Sequence, residues 1–313
     1  MSWFTFNFND FSYAFLSVLF EGVPFLLAGS LLSGVVDVFV SSERLERILP
    51  KNPTAAILLS GFLGTIFPMC ECGNVILIRR FIRKGLPLSC AVTYMLSAPI
   101  VSPLVALSTW TAFHGRKPWE MTSLRMGIGY FIAVVAGVIV QQLRASSILR
   151  PEMMQENAPA AAPRKRLGLK IAANPTAEEA KKRDFAEIAV GASVGQKVLL
   201  AIQSATADFL DVAFFFIVGI SIASLFNTAV NQQVIQRFAT QQPLAIIVLM
   251  ILAALIALCS TTSAFVAASF SLFPASAKLA FLVFGPVFDL KLFWLYGLVF
   301  RRRFVVILPI CLF

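Results

Sequence analysis

Two thiols, a carboxylate and an amide occur close together in one apolar stretch of the sequence, residues 61–78. Cys70 and Cys72 flank Glu71, and Asn74 follows two residues after Cys72. Soft thiolate ligands select thiophilic ions such as Cu(I) and also suit Zn(II). An ionised carboxylate in hydrocarbon costs about 2.5–3.5 kcal/mol, so Glu71 is expected to face protein or a wet cavity. We therefore predict a substrate-binding site at these four residues, with Cys70 and Cys72 as transient metal ligands.

Pro68 is expected to break the helix that carries these residues. Its ring removes one backbone donor and opposes the carbonyl of Gly64. On an intact helix Cys70 and Cys72 would point to different faces, whereas a bent segment lets both sulfurs turn toward one point. The alternative is that these cysteines are small buried hydrophobic side chains without a chemical role.

A second proline-broken segment follows at residues 86–110. Pro99 and Pro103 are four residues apart, so a continuous straight helix is not expected there. Ser102, between them, is a further candidate for substrate binding. Pro286 predicts a similar break in the second half of the chain. Interrupted helices that lie beside each other are typical of transporter binding sites.

Three more charged residues lie inside apolar segments, namely Glu21, Asp289 and Lys291. Charged side chains at membrane depth face the interior of a bundle and pair with one another. Together with Glu71 they are the predicted charge-coupling residues. A purely structural pair between Asp289 and Lys291 is an equally open interpretation.

The composition predicts an all-α, polytopic membrane helix bundle. The 313 residues are 58% hydrophobic and 13% charged, with a mean hydropathy of +0.82, and apolar segments recur about eight times. The last of them, residues 304–313, is too short to cross the bilayer as a helix, so it is a re-entrant end, a truncated span or part of a longer bent one. The net charge of +10 comes mostly from loops beside these stretches, so membrane orientation explains it and nucleic-acid binding is not expected. The N-terminus lacks the features of a signal peptide. No cofactor is predicted.

The chain divides into two membrane units and a polar connection. Residues 1–143 form the predicted first membrane repeat, whose first segment is expected to be tilted or to be interrupted near Pro24. Residues 144–197 are rich in Pro, Ala and charge and predict a cytoplasmic linker containing a polar or interfacial helix after Asn174. Residues 198–313 form the second membrane repeat.

The two membrane units resemble each other when the sequence is shifted by 187 residues. The shift superimposes the unusual residues of each unit: Glu21 on Asp208, Cys72 on Cys259, Pro87 on Pro274 and Pro99 on Pro286. Transporters built from two related halves bind substrate where the interrupted helices of both halves meet. This places residues 68–74 opposite residues 258–265 and adds Cys259, Ser260, Thr261 and Ser263 to the predicted substrate site. Parallel and inverted repeats both remain open.

Basic residues predict the orientation. Eight crossings with an internal N-terminus place the cluster 79–84, the linker and Lys278 in the cytoplasm, which the excess of Lys and Arg in cytoplasmic loops favours. Arg301, Arg302 and Arg303 then fall outside, and a re-entrant segment would change this parity. Arg125 lies close enough to the end of its segment to snorkel.

Three motifs carry a family resemblance: FPMCECGNV, then RRFIRKGLPLS, then MLSAPIVSPLVALSTW. They resemble the predicted permeases grouped with the ArsP organoarsenical efflux permeases (UPF0718-like), and the similarity covers nearly the whole membrane portion. The resemblance implies a multi-pass plasma-membrane permease, with arsenicals as the substrates of the best-known relatives.

Several positions depart from the family pattern. Ser102 replaces an expected Asn, Ile76 stands where a Pro often occurs, and Thr261 and Ser263 replace two acidic residues of the second-half motif. If those acids carry a proton or a cation in relatives, coupling in this chain rests on Glu71, Glu21 or Asp289, or the substrate differs.

We predict a permease of the plasma (inner) membrane, not an enzyme, that exports a thiophilic metalloid or soft metal species by alternating access. Its partners would be the lipid bilayer and a small inorganic or organometalloid substrate, with a homo-oligomer as an option. The first alternative is a membrane thiol oxidoreductase using Cys70 and Cys72, although redox pairs usually have Cys-X-X-Cys spacing. The second is a membrane scaffold that transports nothing.

Overall fold

The computed structural model describes residues 8–39, 50, 52–67, 69–115, 117–143, 145–150, 194–229, 242–270 and 272–312. Two sequence predictions lie outside these ranges: the break at Pro68 itself and the polar helix after Asn174. The described residues are almost entirely helical. This agrees with the predicted all-α bundle.

Two sets of helices follow each other along the chain. The first set is α1 (Phe8–Phe39), α2 (Pro53–Ile66), α3 (Glu71–Arg83), α4 (Leu88–Ser97), α5 (Pro103–Ala112), α6 (Pro118–Gln142) and the short α7 (Ala145–Ile148). The second set is α8 (Val194–Ala229), α9 (Gln242–Ile256), α10 (Thr262–Ser269), α11 (Ala275–Phe284), α12 (Leu290–Tyr296) and α13 (Arg302–Leu312).

Among the described residues, three helices are long and apolar enough to cross a membrane, within Phe8–Val36, Pro118–Gln142 and Gly195–Leu225. Large apolar side chains on these helices face outward: Phe20 is 74% exposed, Phe131 67% and Phe214 66%. Such exposure would be unfavourable in water, and lipid removes that cost because its tails are as apolar as the side chains. These helices therefore form the lipid-facing part of a membrane bundle.

α1 contains Pro24 without interruption, so of the two alternatives that the sequence allowed, a tilt or an interruption, the interruption is wrong. Proline is tolerated in membrane helices because neighbouring groups satisfy the backbone carbonyl that it leaves without a donor.

The other prolines of interest lie at the ends of short helices. Pro99 is in the turn between α4 and α5, and Pro103 is the first residue of α5. Pro286 is in the turn between α11 and α12. Ala275 and Leu290, which begin α11 and α12, each lie 187 residues after the residue that begins α4 or α5.

α2 and α3 form a hairpin that enters and leaves at the same end of the bundle. α2 runs beside α4 in the same direction: Ile57 and Thr93 both lie against Gly137, and further along each helix Gly64 lies against Ala98. Residues 84–87 alone join the end of α3 to the start of α4. α3 therefore returns the chain to the end where α2 began.

α9 and α10 form the corresponding hairpin in the second half. Gly285, which follows α11, lies against Ala253 near the end of α9, so α9 and α11 run in the same direction. Residues 270–274 join α10 to the start of α11, which brings α10 back to the starting end of α9. We call residues 67–72 and 257–262 the first and second hairpin tips.

α1 and α8 pack along each other in opposite directions. Ser33, near the end of α1, donates a hydrogen bond to Asp208 in the first half of α8 at 2.9 Å. Gly22, earlier in α1, lies against Phe216, later in α8. Because these helices occupy equivalent places in the two halves, their orientation is that of an inverted repeat, an alternative that the sequence left open.

The basic residues 301–303 lie at the end of the bundle where the linker begins. The backbone N–H of Arg301 donates to the carbonyl of Ile148 at 2.8 Å, and Leu149 forms an antiparallel bridge with Phe300. The parity count that separated residues 301–303 from the linker is therefore wrong. It treated the α9–α10 hairpin as a full crossing.

Candidate functional site

The first hairpin tip places two thiols and a carboxylate at the start of a helix. Cys70 is the N-cap of α3, with an extended backbone, and Glu71 and Cys72 are its first two residues. All three side chains are buried. A carboxylate at a helix N-terminus is favoured by the helix dipole. The tip therefore supports a negative charge in the interior of the bundle.

The second hairpin tip exposes backbone carbonyls. α9 ends at Ile256, and Ala257 adopts a left-handed conformation with φ of 54°. Cys259 and Ser260 follow without helical structure before α10 begins at Thr262. Ser and Thr side chains compete with the helix for backbone hydrogen bonds, which suits this stretch to a break.

One cavity lies between the two tips, α1 and α8. Its walls come from Val18, Glu21, Gly22, Cys70, Glu71, Cys72, Phe216, Cys259 and Lys291. Cys70 and Cys72 both line this cavity. The break therefore brings together the thiols that an intact helix would separate, and the repeat adds a third. We call this the thiol cavity.

A second cavity adjoins the tips on the side of α5. It is lined by Met69, Cys70, Ser102, Leu104, Val105, Cys259, Ser260 and Thr261. The Thr261 hydroxyl lies 3.6 Å from the sulfur of Cys259 and donates to it. Cys70 and Cys259 line both cavities and connect the two spaces. We call this the hydroxyl cavity.

A buried ion cluster closes one side of the thiol cavity. The ammonium of Lys291 lies 2.9 Å from Oε1 of Glu71 and 3.3 Å from Oδ2 of Asp289. It also donates to the carbonyl of Ala257 at 2.9 Å. Oδ1 of Asp289 accepts from the backbone N–H of Leu292 at 2.7 Å and caps α12. The cluster thus joins both hairpin tips to the broken segment before α12.

Glu21 contributes a further carboxylate to the thiol cavity. It lies in the middle of α1 and accepts a hydrogen bond from the hydroxyl of Thr262, the first residue of α10. A contact at this point ties the second hairpin to α1. Glu21 is therefore placed to respond to movement of α10.

Arg125 is a site residue that the sequence analysis missed. It does not snorkel, because its side chain is fully buried. It donates to Thr109 Oγ1 at 2.6 Å, to the carbonyl of Ser260 at 2.7 Å and to Ser263 Oγ at 3.3 Å. Thr109 is on α5 and the other two partners are at the second hairpin, so Arg125 fastens that hairpin to the first half.

Arg80 and Asp208 form a second buried ion pair that the sequence did not predict. Arg80 Nε lies 3.0 Å from Asp208 Oδ2, and its Nη2 donates to Ser204 Oγ at 2.8 Å. Asp208 also accepts from Ser33. The pair joins α1, α3 and α8. Both residues stood out in the sequence, Arg80 in the basic cluster 79–84 and Asp208 as the repeat partner of Glu21. No sequence pattern indicated that they form a pair with each other.

Two of the predicted substrate-binding residues, Asn74 and Ser263, line neither cavity. Asn74 donates to the carbonyl of Met95 at 3.0 Å and connects α3 to α4. Ser263 donates to the carbonyl of Ser260 at 3.0 Å and accepts from Arg125. Within the part of the chain that the structure describes, no group of three or more His, Cys, Asp or Glu side chains is arranged to hold a metal ion.

A helical membrane bundle whose broken helices meet at polar cavities has the architecture of a transporter. Residues 7–313 match the ArsP_1 family, described as "Predicted permease". The chain belongs to this family, which confirms the resemblance carried by the motifs. The protein is therefore a membrane protein of a permease family, and its relatives indicate a transporter rather than an enzyme.

Two curated relatives align along most of their length. UPF0718 protein YcgR of Bacillus subtilis strain 168 is 32% identical over 304 residues, which cover 96% of this chain and 92% of that protein. A protein of Streptococcus mutans serotype c, named as a two-component membrane permease complex subunit, is 28% identical over 292 residues, which cover 93% and 87%. No solved structure matches the chain.

Proposed function

We propose that this permease exports a small thiophilic species, either a metalloid or a soft metal ion. Cys70, Cys72 and Cys259 bind the cargo transiently in the thiol cavity. Glu71, with Lys291 and Asp289, balances the charge that accompanies it. Trivalent arsenic shares the thiol preference of soft metals, and the family resemblance points to arsenicals as one such cargo.

The observation that carries this proposal is the convergence of thiols from both hairpin tips on one buried cavity. Cys70 and Cys72 come from the first tip and Cys259 from the second. Thiolates are the protein ligands that soft ions prefer. Burial of small apolar side chains does not by itself explain why thiols from both halves of the sequence line the same cavity.

The arrangement supports transient binding rather than storage. A closed set of four ligands holds a metal ion as a structural element, and the described residues provide no such set. The ligands sit on hairpin tips, so movement of one hairpin separates Cys259 from Cys70. Such movement, in an inverted repeat, exposes the site to one side of the membrane and then the other.

Accumulation of toxic ions in cells tests this function. Wild type, Cys70→Ser/Cys72→Ser and Cys259→Ser are expressed in cells that lack arsenite, copper and zinc efflux, and the content of each ion and of methylated arsenicals is measured. Wild type is expected to lower at least one of them, and both thiol variants are expected to lose this effect. Cys90→Ser is the matched control, because Cys90 is buried in α4 and lines neither cavity.

Equal accumulation of every ion and arsenical in cells with wild type, with the variants and with empty vector would contradict the export proposal. The competing oxidoreductase function has one observation in its favour, the presence of Cys70 and Cys72 in the wall of the same cavity. Thiol trapping in growing cells decides between them: a Cys70–Cys72 disulfide that forms and disappears with the redox state of the medium supports the enzyme. Unchanged accumulation and permanently reduced thiols together support a scaffold.

A further inference from the structure

The ammonium of Lys291 occupies a cage of oxygen atoms that come from three separate elements. Glu71 Oε1 belongs to α3, the carbonyl of Ala257 to the second hairpin tip, and Asp289 Oδ2 to the N-cap of α12. The nitrogen–oxygen distances are 2.9, 2.9 and 3.3 Å. Lysine, cage and surroundings are all buried. The cage thus holds a cation that is covalently tied to the protein.

The donor set of this cage differs from that of the thiol cavity. Carboxylate and carbonyl oxygens suit hard cations, whereas thiolates select soft ones. Carbonyls freed at a helix break are the groups with which transporters coordinate Na⁺. The left-handed backbone at Ala257 frees such a carbonyl. The oxygen cage is therefore chemically suited to an alkali cation and not to the thiophilic cargo.

The single ammonium does not satisfy the cage. Two carboxylates share it, and in the described part of the chain Oε2 of Glu71 is buried without a hydrogen-bond partner. Glu71 and Lys291 both line the thiol cavity. The unpartnered oxygen can accept a further cation, and the flexible four-carbon chain of Lys291 allows its ammonium to change position.

We propose that Glu71, Asp289 and the Ala257 carbonyl form a binding site for a monovalent alkali cation, which the Lys291 ammonium fills as a tethered substitute in this conformation. When the Lys291 side chain moves away from the cage, Na⁺ or a related ion takes the place of its ammonium. Entry of the ion then changes the charge beside the cargo. The proposal rests on the transport function for its coupling role, but cation binding can be measured without any cargo.

The test uses purified full-length protein in detergent. Lys291→Met removes the tethered cation and leaves the oxygen cage open. Its unfolding midpoint is expected to rise by a few degrees with increasing NaCl, KCl or LiCl relative to choline chloride, because a ligand that binds only the folded state stabilises it. Wild type is expected to show a smaller rise. Lys291→Met/Glu71→Gln is expected to show none.

A second measurement covers the case in which Lys291→Met does not fold. A hydrophobic carbodiimide modifies Glu71 in wild type, and mass spectrometry measures the rate in alkali and in choline salts. Slower modification in an alkali salt supports the proposal. Equal midpoints of the folded variant in all four salts, or for an unfolded variant equal modification rates, overturn it.

These outcomes are separate from those of the export proposal. Cys70→Ser/Cys72→Ser removes thiols that the export function needs and leaves all three cage oxygens. It is expected to respond to alkali cations as wild type does, even if no thiophilic cargo is ever transported. Loss of the cation response in this variant contradicts a cage that is independent of the thiols.

Discussion

Arg125 carries a positive charge into the centre of the bundle, where its described partners are a backbone carbonyl and two hydroxyls. A guanidinium offers its donors in a rigid planar fork. That geometry suits a residue that must hold three groups on two elements at once. Arg125 therefore acts as a positioning residue for the second hairpin tip and for Cys259 within it.

Arg125→Met is expected to loosen this tip without unfolding the bundle. Two of its bonds reach the second hairpin, and their loss is worth about 1–3 kcal/mol together. Opening of the tip then becomes roughly tenfold or more frequent. With the other cysteines replaced by Ser, the rate at which N-ethylmaleimide modifies Cys259 should rise accordingly. Arg79→Met is the control, and equal rates in both variants would show that Arg125 does not hold the tip.

The thiols and the intramembrane charges were predictable from the sequence because their residue types are costly in an apolar segment. Asp289 and Lys291 were expected as a pair and lie 3.3 Å apart. The third partner, Glu71, is distant in sequence, so only the fold brings it to Lys291. The prediction that Arg125 snorkels failed for the same reason. The position of a residue along a segment indicates its depth in the membrane, but it does not indicate which side chains surround it.

The close packing of the elements depends on two glycines that face each other. A Cβ atom at Gly29 of α1 would lie 2.7 Å from the Cα of Gly73 in α3. Side chains are excluded from this contact, which lets the first hairpin lie directly on α1. The thiol cavity is built on this contact, because Glu21 and Cys72 lie on the same two helices.

Gly29→Leu is expected to push α3 away from α1. Overpacking of a tight contact costs about 1–3 kcal/mol and shifts the backbone. The unfolding midpoint in detergent should fall, and thiol-cavity function should be lost with it. Gly127→Leu is the matched control, because a Cβ at Gly127 in α6 meets nothing within 4 Å. Equal stability of the two variants contradicts the packing described for α1 and α3.

The pair of Arg80 and Asp208 makes a related prediction for the junction of α1, α3 and α8. Arg80→Ala leaves the buried carboxylate of Asp208 without its cation, and breaking a buried pair costs about 3–5 kcal/mol. Arg79→Ala removes a looser pair, 3.9 Å from Asp211, and should cost less than about 1 kcal/mol. Unfolding midpoints of the two variants test this order, with the lower midpoint expected for Arg80→Ala. A lower midpoint for Arg79→Ala would contradict the role of the Arg80–Asp208 pair at the junction of α1, α3 and α8.

At the scale of the molecule, the two hairpins determine which loops share a side of the membrane. Arg301 bonds to Ile148, so the C-terminal basic residues accompany the start of the linker. The basic cluster at the end of α3 lies at the same end, because Arg80 reaches Asp208 beside Ser33, near the end of α1. Basic residues thus concentrate on one face, as expected for the cytoplasmic side.

Labelling with a membrane-impermeant maleimide tests this orientation. Arg302→Cys is expected to react only after the cells are opened, and Ser276→Cys, exposed at the start of α11, to react on intact cells. The eight-crossing topology predicts the opposite result: Arg302→Cys would react on intact cells, and Ser276→Cys would react only after the cells are opened. Gly115→Cys is the control, because both topologies place it outside. Labelling of Arg302→Cys on intact cells would falsify the hairpin topology.

The positions of the apolar segments and the repeat were within reach of the sequence, whereas the topology was not. Apolar length and proline positions indicate where segments lie and where they break, and the 187-residue shift places Cys72 opposite Cys259. Neither signal distinguishes a broken helix that crosses from a hairpin that returns. That distinction depends on which helix α4 or α11 packs beside, which is a tertiary property.

The ion pair between Glu71 and Lys291 also has a consequence for synthesis of the protein. The two residues are 220 positions apart, so a ribosome that adds about 5–20 residues per second makes Glu71 roughly 10–40 s before its cation. During that interval, burial of the Glu71 carboxylate in hydrocarbon without its cation costs about 2.5–3.5 kcal/mol. Closure of the two hairpin tips around Lys291 therefore follows the synthesis of α12.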